Sequence, residues 1–170
     1  MADQPTLAVS TVIFALRPSA RTGRVALHIP LVRRIREPFE GSWALPGGPL
    51  ALDESLGEAA RRHLLDTTGV SPSYLEQLYA FGDRGRSGVE RVVSIVYWAL
   101  VEAAQSATAA ELDDENVAWF DADHLPELAF DHTTIVDYAL WRLRTKLEYS
   151  SIAHRFIGDT FTLAQLREVH

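Results

Sequence analysis

The sequence predicts an α/β (α+β) domain in which a sheet packs against helices. Three observations predict it. Strand-like runs recur at 6–16, 74–83 and 91–102, the first of them rich in β-branched and apolar residues. A helical pattern bounded by capping residues fills 53–68. A long amphipathic stretch at 132–149 closes the series. The order is strand, strand, loop, helix, two strands, strand, helix, which makes a sandwich of sheet and helices.

Each element has its own reason. TLAVSTVIFAL (6–16) reads as a buried strand, and RPSARTG is a turn-forming break. RVALHIPLVRR (24–34) predicts a second strand, with Pro30 placing it at an edge or near a bulge. REPFEGSWALPGG (36–48) predicts a loop with a short strand inside it. In the helix at 53–68, Asp53 or Ser55 can cap the start, and Gly69 sits where a C′ glycine ends a helix. Leu56, Ala59, Ala60, Leu64 and Thr67 fall near one face, and Pro72 blocks continuation. The strands at 74–83 and 91–102 flank a Gly/Arg-rich connector, RGRSGV. Residues 103–116 are Ala-rich, then acidic, and read as a mobile loop or frayed helix. VAWFDAD (117–123) is another strand. In the helix at 132–149, Ile135, Tyr138, Ala139, Leu143 and Leu147 form the expected core face. No internal repeat appears.

A chain of 170 residues suits one domain with room for a short appendage. A formal net charge of −7 argues against nucleic-acid binding through the overall field, while local basic patches stay open. The absence of cysteine excludes disulfides, thiol nucleophiles and Cys-ligated zinc, and is silent on compartment. The opening MADQPTLAVS has no basic n-region, and no apolar run is long enough to cross a bilayer. The expectation is a cytoplasmic, soluble protein without a membrane partner.

Chemistry enters through one frame. Gly48 is followed by five residues and Glu54, then seven residues and Arg62, then Leu64 and Gly69-Val70. This register resembles the signature of the Nudix family, G-x5-E-x7-R-E-U-x-E-E-x-G-U, without insertion or deletion. The preceding GSWALPGG resembles the segment that leads into it. The resemblance covers roughly the first 145 residues by domain-length expectation. It implies a mixed sheet sandwiched between helices, with a loop–helix–loop box holding divalent metal against a diphosphate. A diphosphate needs its charge neutralised before water attacks phosphorus, and magnesium prefers carboxylate oxygens and waters. Glutamates at i, i+3 and i+4 share one helix face and supply those oxygens.

Here those positions hold His63, Asp66 and Thr67. Two of three formal negative charges are gone, and a histidine nitrogen suits softer metals. Weak metal affinity and little or no hydrolysis are expected. No catalytic residue is assigned firmly. Were the box active, Glu58, Arg62 and Asp66 are the residues to carry it, with Glu58, His63 and Asp66 as metal candidates and magnesium or manganese as the cofactor. Binding alone requires none. Each has a plainer reading: Asp66 as a solvated face residue, His63 as a surface residue or one bonded to a carbonyl, and Glu58 as an i, i+4 partner for Arg62. The acidic run ELDDEN (111–116) is either a solvated loop or the source of a further carboxylate.

The later segment carries a second resemblance. LAFDH followed by a helix, then RLRTKLEYSSIA and FTLAQLREV, is similar to the Nudix-related transcriptional regulators, the NrtR family. That resemblance implies a degenerate Nudix domain fused to a winged helix-turn-helix. It also implies repression of NAD-synthesis or pentose-utilisation genes, ADP-ribose as effector, and a homodimer. The division expected is 1–147 for the effector-binding domain and 148–170 for a linker and an incomplete start of the winged helix. The sequence stops inside the first candidate helix, 162–169, before any recognition helix. Operator binding is therefore expected only of a longer chain with a complete winged helix. The other reading of 150–170 is a helix packed on the core, or a tail.

A binding domain needs cations for the diphosphate and a face for adenine. Arg33, Arg34 and Arg36 precede the box, and guanidinium groups fork onto phosphate oxygens without metal. A solvated basic strand end is the alternative. Phe39 is the candidate for stacking, while Trp43 suits core packing better. Tyr97 and Trp98 point to opposite faces of a strand, so only one can meet a ligand, and Tyr97 is the candidate. Gly47 and Gly48 of the loop, with Glu54 and Arg62 of the box, complete the expected ligand-binding set. Arg84 and Arg86 are weaker candidates, and Asp131-His132 is expected to cap the long helix. The function implied is sensing of ADP-ribose or a related nucleoside diphosphate sugar. The alternatives are a Nudix hydrolase on such a substrate, or a dimerisation module with a vestigial pocket.

Overall fold

The structure, a computed structural model, describes residues 4–69, 71–88, 90–102 and 115–149. Val70, the acidic run as far as Asp114, and the winged-helix segment from Ser150 onward lie outside the described residues.

The strands are β1 (Thr6–Pro18), β2 (Val25–Arg33), β3 (Trp43–Ala44), β4 (Gly47–Pro49), β5 (Tyr74–Phe81), β6 (Val92–Val101) and β7 (Val117–Asp121). Among the described residues the helices are α1 (Leu56–Thr68) and α2 (His132–Tyr149). The strands form one seven-stranded sheet in the order β3-β2-β1-β6-β5, with β4 also on β1 and β7 also on β2. β1 runs parallel to β6 from Thr6↔Val92 to Ala15↔Val101, and the other pairings are antiparallel.

Alternation along β1 divides the core. Val12, Phe14 and Leu16 join Trp98, Leu100 and the α2 residues Ile135, Ala139 and Leu143 on one face. Ile13 and Ala15 meet Leu64 of α1 on the other, and Val9 meets Ala59 and Ala60. The α2 stripe is as expected except that Val136 is buried and Tyr138 is only partly so. On α1 the buried stripe takes in His63 and Thr68, whereas Thr67 is half-exposed. Among the described residues no helix is long and apolar enough to cross a membrane.

Two local expectations are refined. β2 is not an edge strand along its length, because it has neighbours on both sides, yet Pro30 itself stands at a local edge. The Leu27 carbonyl accepts from Ala122 and the Arg33 N–H donates to Asn116, so the odd residues of β2 face the β7 side. Alternation turns the Pro30 nitrogen the other way, where the β1 ladder has already ended at the Ala15↔His28 pair. The missing donor therefore costs no sheet bond. Asp131 stands at the N-cap position of α2, its carbonyl accepting from the Ile135 N–H, but its side chain does not cap the helix. Both its carboxylate oxygens accept from Arg86, at 2.7 and 2.9 Å.

The start of α1 is resolved in favour of Ser55. Its hydroxyl accepts from the Glu58 N–H, and the Glu58 carboxylate accepts from the Ser55 N–H. Gly69 ends the helix at φ 76°, and its N–H donates to the Leu65 carbonyl.

Candidate functional site

β2, the loop after it and the C-terminal half of α1 meet around a cavity of about 300 Å³. Arg33, Arg34 and Arg36 line it from the β2 side, and His63, Asp66 and Thr67 from α1. A second cavity of about 700 Å³ adjoins it, sharing Arg34, Arg36, Ala44, Leu45 and Gly47. Arg86, Phe130 and His132 also line the larger one.

The arginines are positioned by the backbone around them. The Arg34 N–H donates to the Ser42 carbonyl, and its carbonyl accepts from the Gly41 N–H, both at 2.8 Å, which closes the 34–42 loop. The Arg34 Nε donates to the Pro38 carbonyl at 2.6 Å, and its guanidinium lies 4.8 Å over the Phe130 ring. Arg33 lies 4.8 Å over Trp43. Burial, then the positive charge of Arg36, holds the Arg34 guanidinium below its usual pKa. Two like charges thus crowd one rim, with Glu37 as partial relief.

Gly47 has no room for a side chain, since a Cβ there falls 2.5 Å from the Val9 carbonyl oxygen. At Gly48 a Cβ would stand 3.4 Å from Cε1 of His63. The two glycines let β4 lie close to β1 and to the His63 ring.

His63 is 8% exposed, and its Nε2 is buried without a hydrogen-bond partner. Burial, before the neighbouring Arg62 charge, lowers its pKa. The ring is neither a surface group nor bonded to a carbonyl through Nε2. Thr67 donates its hydroxyl to the His63 carbonyl at 2.7 Å. Asp66 is exposed at the cavity wall.

The acids of the box are engaged elsewhere. Arg62 pairs with Glu54, not with Glu58, through a fork at 2.7 and 3.0 Å. Glu54 also accepts from the Ala51 N–H, and these bonds, Arg62 first, hold its carboxyl down at about 2. Glu58 serves the cap. Glu54, Glu58 and Arg62 line neither cavity. Among the described residues no three His, Asp or Glu side chains group as a metal site. The described residues do not fit a magnesium ion, which wants several oxygen ligands together.

Phe39 sits at φ 64° and Phe130 at φ 54°, and their rings meet edge-on at 4.9 Å. Two non-glycine residues in the left-handed region are costly, and both belong to the segments around the larger cavity. Phe39 is 45% exposed but lines neither cavity. Trp43 packs partly buried against Phe120. Tyr97 packs beside Val9, Ala59 and Ala60, with Trp98 on the opposite face, and also lines neither cavity. Arg84 is exposed and away from both.

Sequence reasoning underrated two groups. The Arg86 side chain is 5% exposed and donates to Asp131 and to the Ser94 hydroxyl. Gly85 and Gly88, at φ 76° and 83°, flank it in the connector. His132 accepts the Leu45 N–H at Nδ1, 3.0 Å away, so its ring is neutral. Burial pulls its pKa to about 4. His132 thereby ties α2 to the loop that carries both cavities, and Asp131 ties it to Arg86 in the connector between β5 and β6. An adjacent Asp-His pair was the only trace of this in the sequence.

A model of the NUDIX domain matches residues 7–139. The chain belongs to the Nudix superfamily. Within it the chain is NrtR-like. It is 34% identical over 148 residues to the ADPR responsive transcriptional repressor NtrR of Acinetobacter baylyi, covering 85% of this chain. The chain spans 59% of that repressor's length. NrtR of Shewanella oneidensis, solved with a 27mer DNA, superposes with a TM-score of 0.80 at 33% identity, covering 96% of this chain and 74% of that one. Its NUDIX domain, solved with ADP ribose, gives 0.64 at 32% identity over 83% and 90% of the two chains. The ADP-ribose pyrophosphatase of Methanocaldococcus jannaschii is 34% identical over 115 residues, 67% of each chain. Against the Nudix signature, this chain retains the glycines, Glu54 and Arg62 and departs at His63, Asp66 and Thr67.

Proposed function

We propose that this Nudix domain senses ADP-ribose, or a related nucleoside diphosphate sugar, for an NrtR-type repressor of NAD metabolism, with little or no hydrolysis. One observation carries the reading: the cavity at the box sets three arginines against a single carboxylate. Such a wall attracts the anion itself and lacks the acids that would gather cations. The relatives support the ligand, since one is named ADPR responsive and another was solved with ADP ribose. Binding would act by shifting the geometry of a homodimer, and DNA would be contacted by a winged helix in the whole repressor. No metal is needed for this binding.

A second reading has its own support in the likeness to an ADP-ribose pyrophosphatase. It would rest on Glu58, Arg62 and Asp66, of which only Asp66 lines a cavity. Titrating ADP-ribose by calorimetry, and incubating it with magnesium or manganese while following AMP, separates the two. Heat without AMP is expected. AMP released at ordinary enzyme rates would sink the sensor reading as stated, and neither heat nor AMP would leave a dimerisation module.

A further inference from the structure

Two aromatic side chains lie largely in the open beside α2. Trp141 is 56% exposed, and Tyr79 on β5 is 57% exposed. They belong to a connected row: Phe81 meets Tyr79 at 5.8 Å, Tyr79 stacks on Tyr138 at 5.5 Å, and Tyr138 meets Trp141 at 5.6 Å. β5 ends the sheet path, so the row runs onto the open side of the sheet. None of the four residues lines either cavity. Tryptophan and tyrosine carry large apolar areas and are enriched at the centres of protein interfaces.

The charges around Trp141 say what would cover it. Thr134, Asp137, Trp141, Arg144 and Glu148 are all exposed and recur at helical spacing, so they share one stripe. Arg142 and Lys146, toward β5, are already opposed by Glu76 at 3.9 and 3.5 Å. Asp137 and Arg144 form no ion pair among the described residues. Trp141 sits close to the midpoint of this 18-residue helix. A twofold axis at Trp141 lays two copies of α2 antiparallel, and each residue meets one equally far beyond Trp141 on the other copy. Asp137 of one copy then comes beside Arg144 of the other, twice over, and Glu148 meets the uncharged Thr134. A parallel pairing would instead set Asp137 against Asp137.

We propose that this stripe of α2, with the aromatic row beside it, is the surface on which a second copy of the chain docks, the two helices antiparallel about Trp141. The inference deepens the proposed function by giving its homodimer a surface; it rests on that reading for the dimer and not for the ligand. α2 starts at His132, which lines the larger cavity, so one helix joins that cavity to this surface.

The test uses the full chain in sedimentation equilibrium, with ADP-ribose titrated calorimetrically in parallel. A dimer is expected. W141A should weaken it by about thirtyfold or more, as for a central interface tryptophan. D137R and R144D should each weaken it by about fivefold or more, because each contact occurs twice. D137R and R144D together should regain wild-type association, which only a second copy in this orientation explains. A chain that stays monomeric would overturn the proposal and leave the face to the segment after Tyr149 or to a different protein. A dimer indifferent to W141A would overturn it too, as would single charge reversals that the double variant fails to rescue. W141A should bind ADP-ribose as wild type does, since Trp141 lines neither cavity. A dimer of this behaviour without ADP-ribose heat would remove the sensor reading and leave the surface standing. Heat from a monomeric wild type would do the reverse.

Discussion

His63 and Thr67 decide the character of the box. Each stands on the helix face where the Nudix frame puts a glutamate, and neither brings a negative charge. His63 is buried beside Gly48, and Thr67 is bonded to the carbonyl four residues before it. Charge count is among the strongest controls on affinity for a hard divalent cation. Restoring both acids, with His63→Glu and Thr67→Glu together, should therefore raise manganese affinity by at least about tenfold. Direct titration followed by paramagnetic resonance of free manganese reads this. Unchanged affinity would mean that something other than these two residues disables the site. Glu54 shows the limit of spacing rules at this scale. The i, i+4 rule favoured Glu58 for Arg62, yet Glu54, just before the helix, takes two of its three guanidinium nitrogens.

At the level of the element, α1 begins and ends by local chemistry. The reciprocal Ser55–Glu58 bonds satisfy donors that a helix start otherwise leaves open, and Gly69 supplies the left-handed turn at the other end. Ser55→Ala should cost about 1 kcal/mol in urea unfolding, while Asp53→Ala should stay within about 0.5 kcal/mol. Equal costs would make Asp53 a partner in the cap after all. Such features were legible because they involve residues three or four apart. The exception is Pro30, whose tolerance depends on where β1 and β2 part company. No residue near Pro30 in sequence reports that.

The whole molecule depends on α2 being tied to the box loop. His132 must be neutral to accept the Leu45 N–H, and its pKa in the folded protein is about 4 against an ordinary 6.5. The unfolded chain therefore binds the proton first as pH falls. Stability from this residue is complete above about 6.5, declines between about 6.5 and 4, and changes no further below that. The full decline amounts to about 3 kcal/mol at 1.36 kcal/mol per pH unit. His63, lowered in the same direction by burial, adds to it. Urea unfolding at pH 7 and at pH 4.5 should show the loss, and His132→Gln should flatten part of it. A variant with the same pH slope as wild type would locate the sensitivity elsewhere. Glu54 acts in a different window: its depressed pKa stabilises above about 4.5, and that contribution fades as pH falls toward 2.

The sequence by itself determined the family, the element order, the glycine that ends α1 and the register of the box. These are properties of spacing along one chain, and hydrophobic period and cap chemistry report them directly. Only the tertiary structure decided which charges meet. Arg86 finds Asp131 across 45 residues, and His132 finds the Leu45 N–H across 87. Burial of His63 likewise follows from β4 lying against the α1 face, which no helical wheel shows. Long-range packing sets dielectric and hydrogen-bond partners, and those turn a row of arginines and a histidine into a pocket.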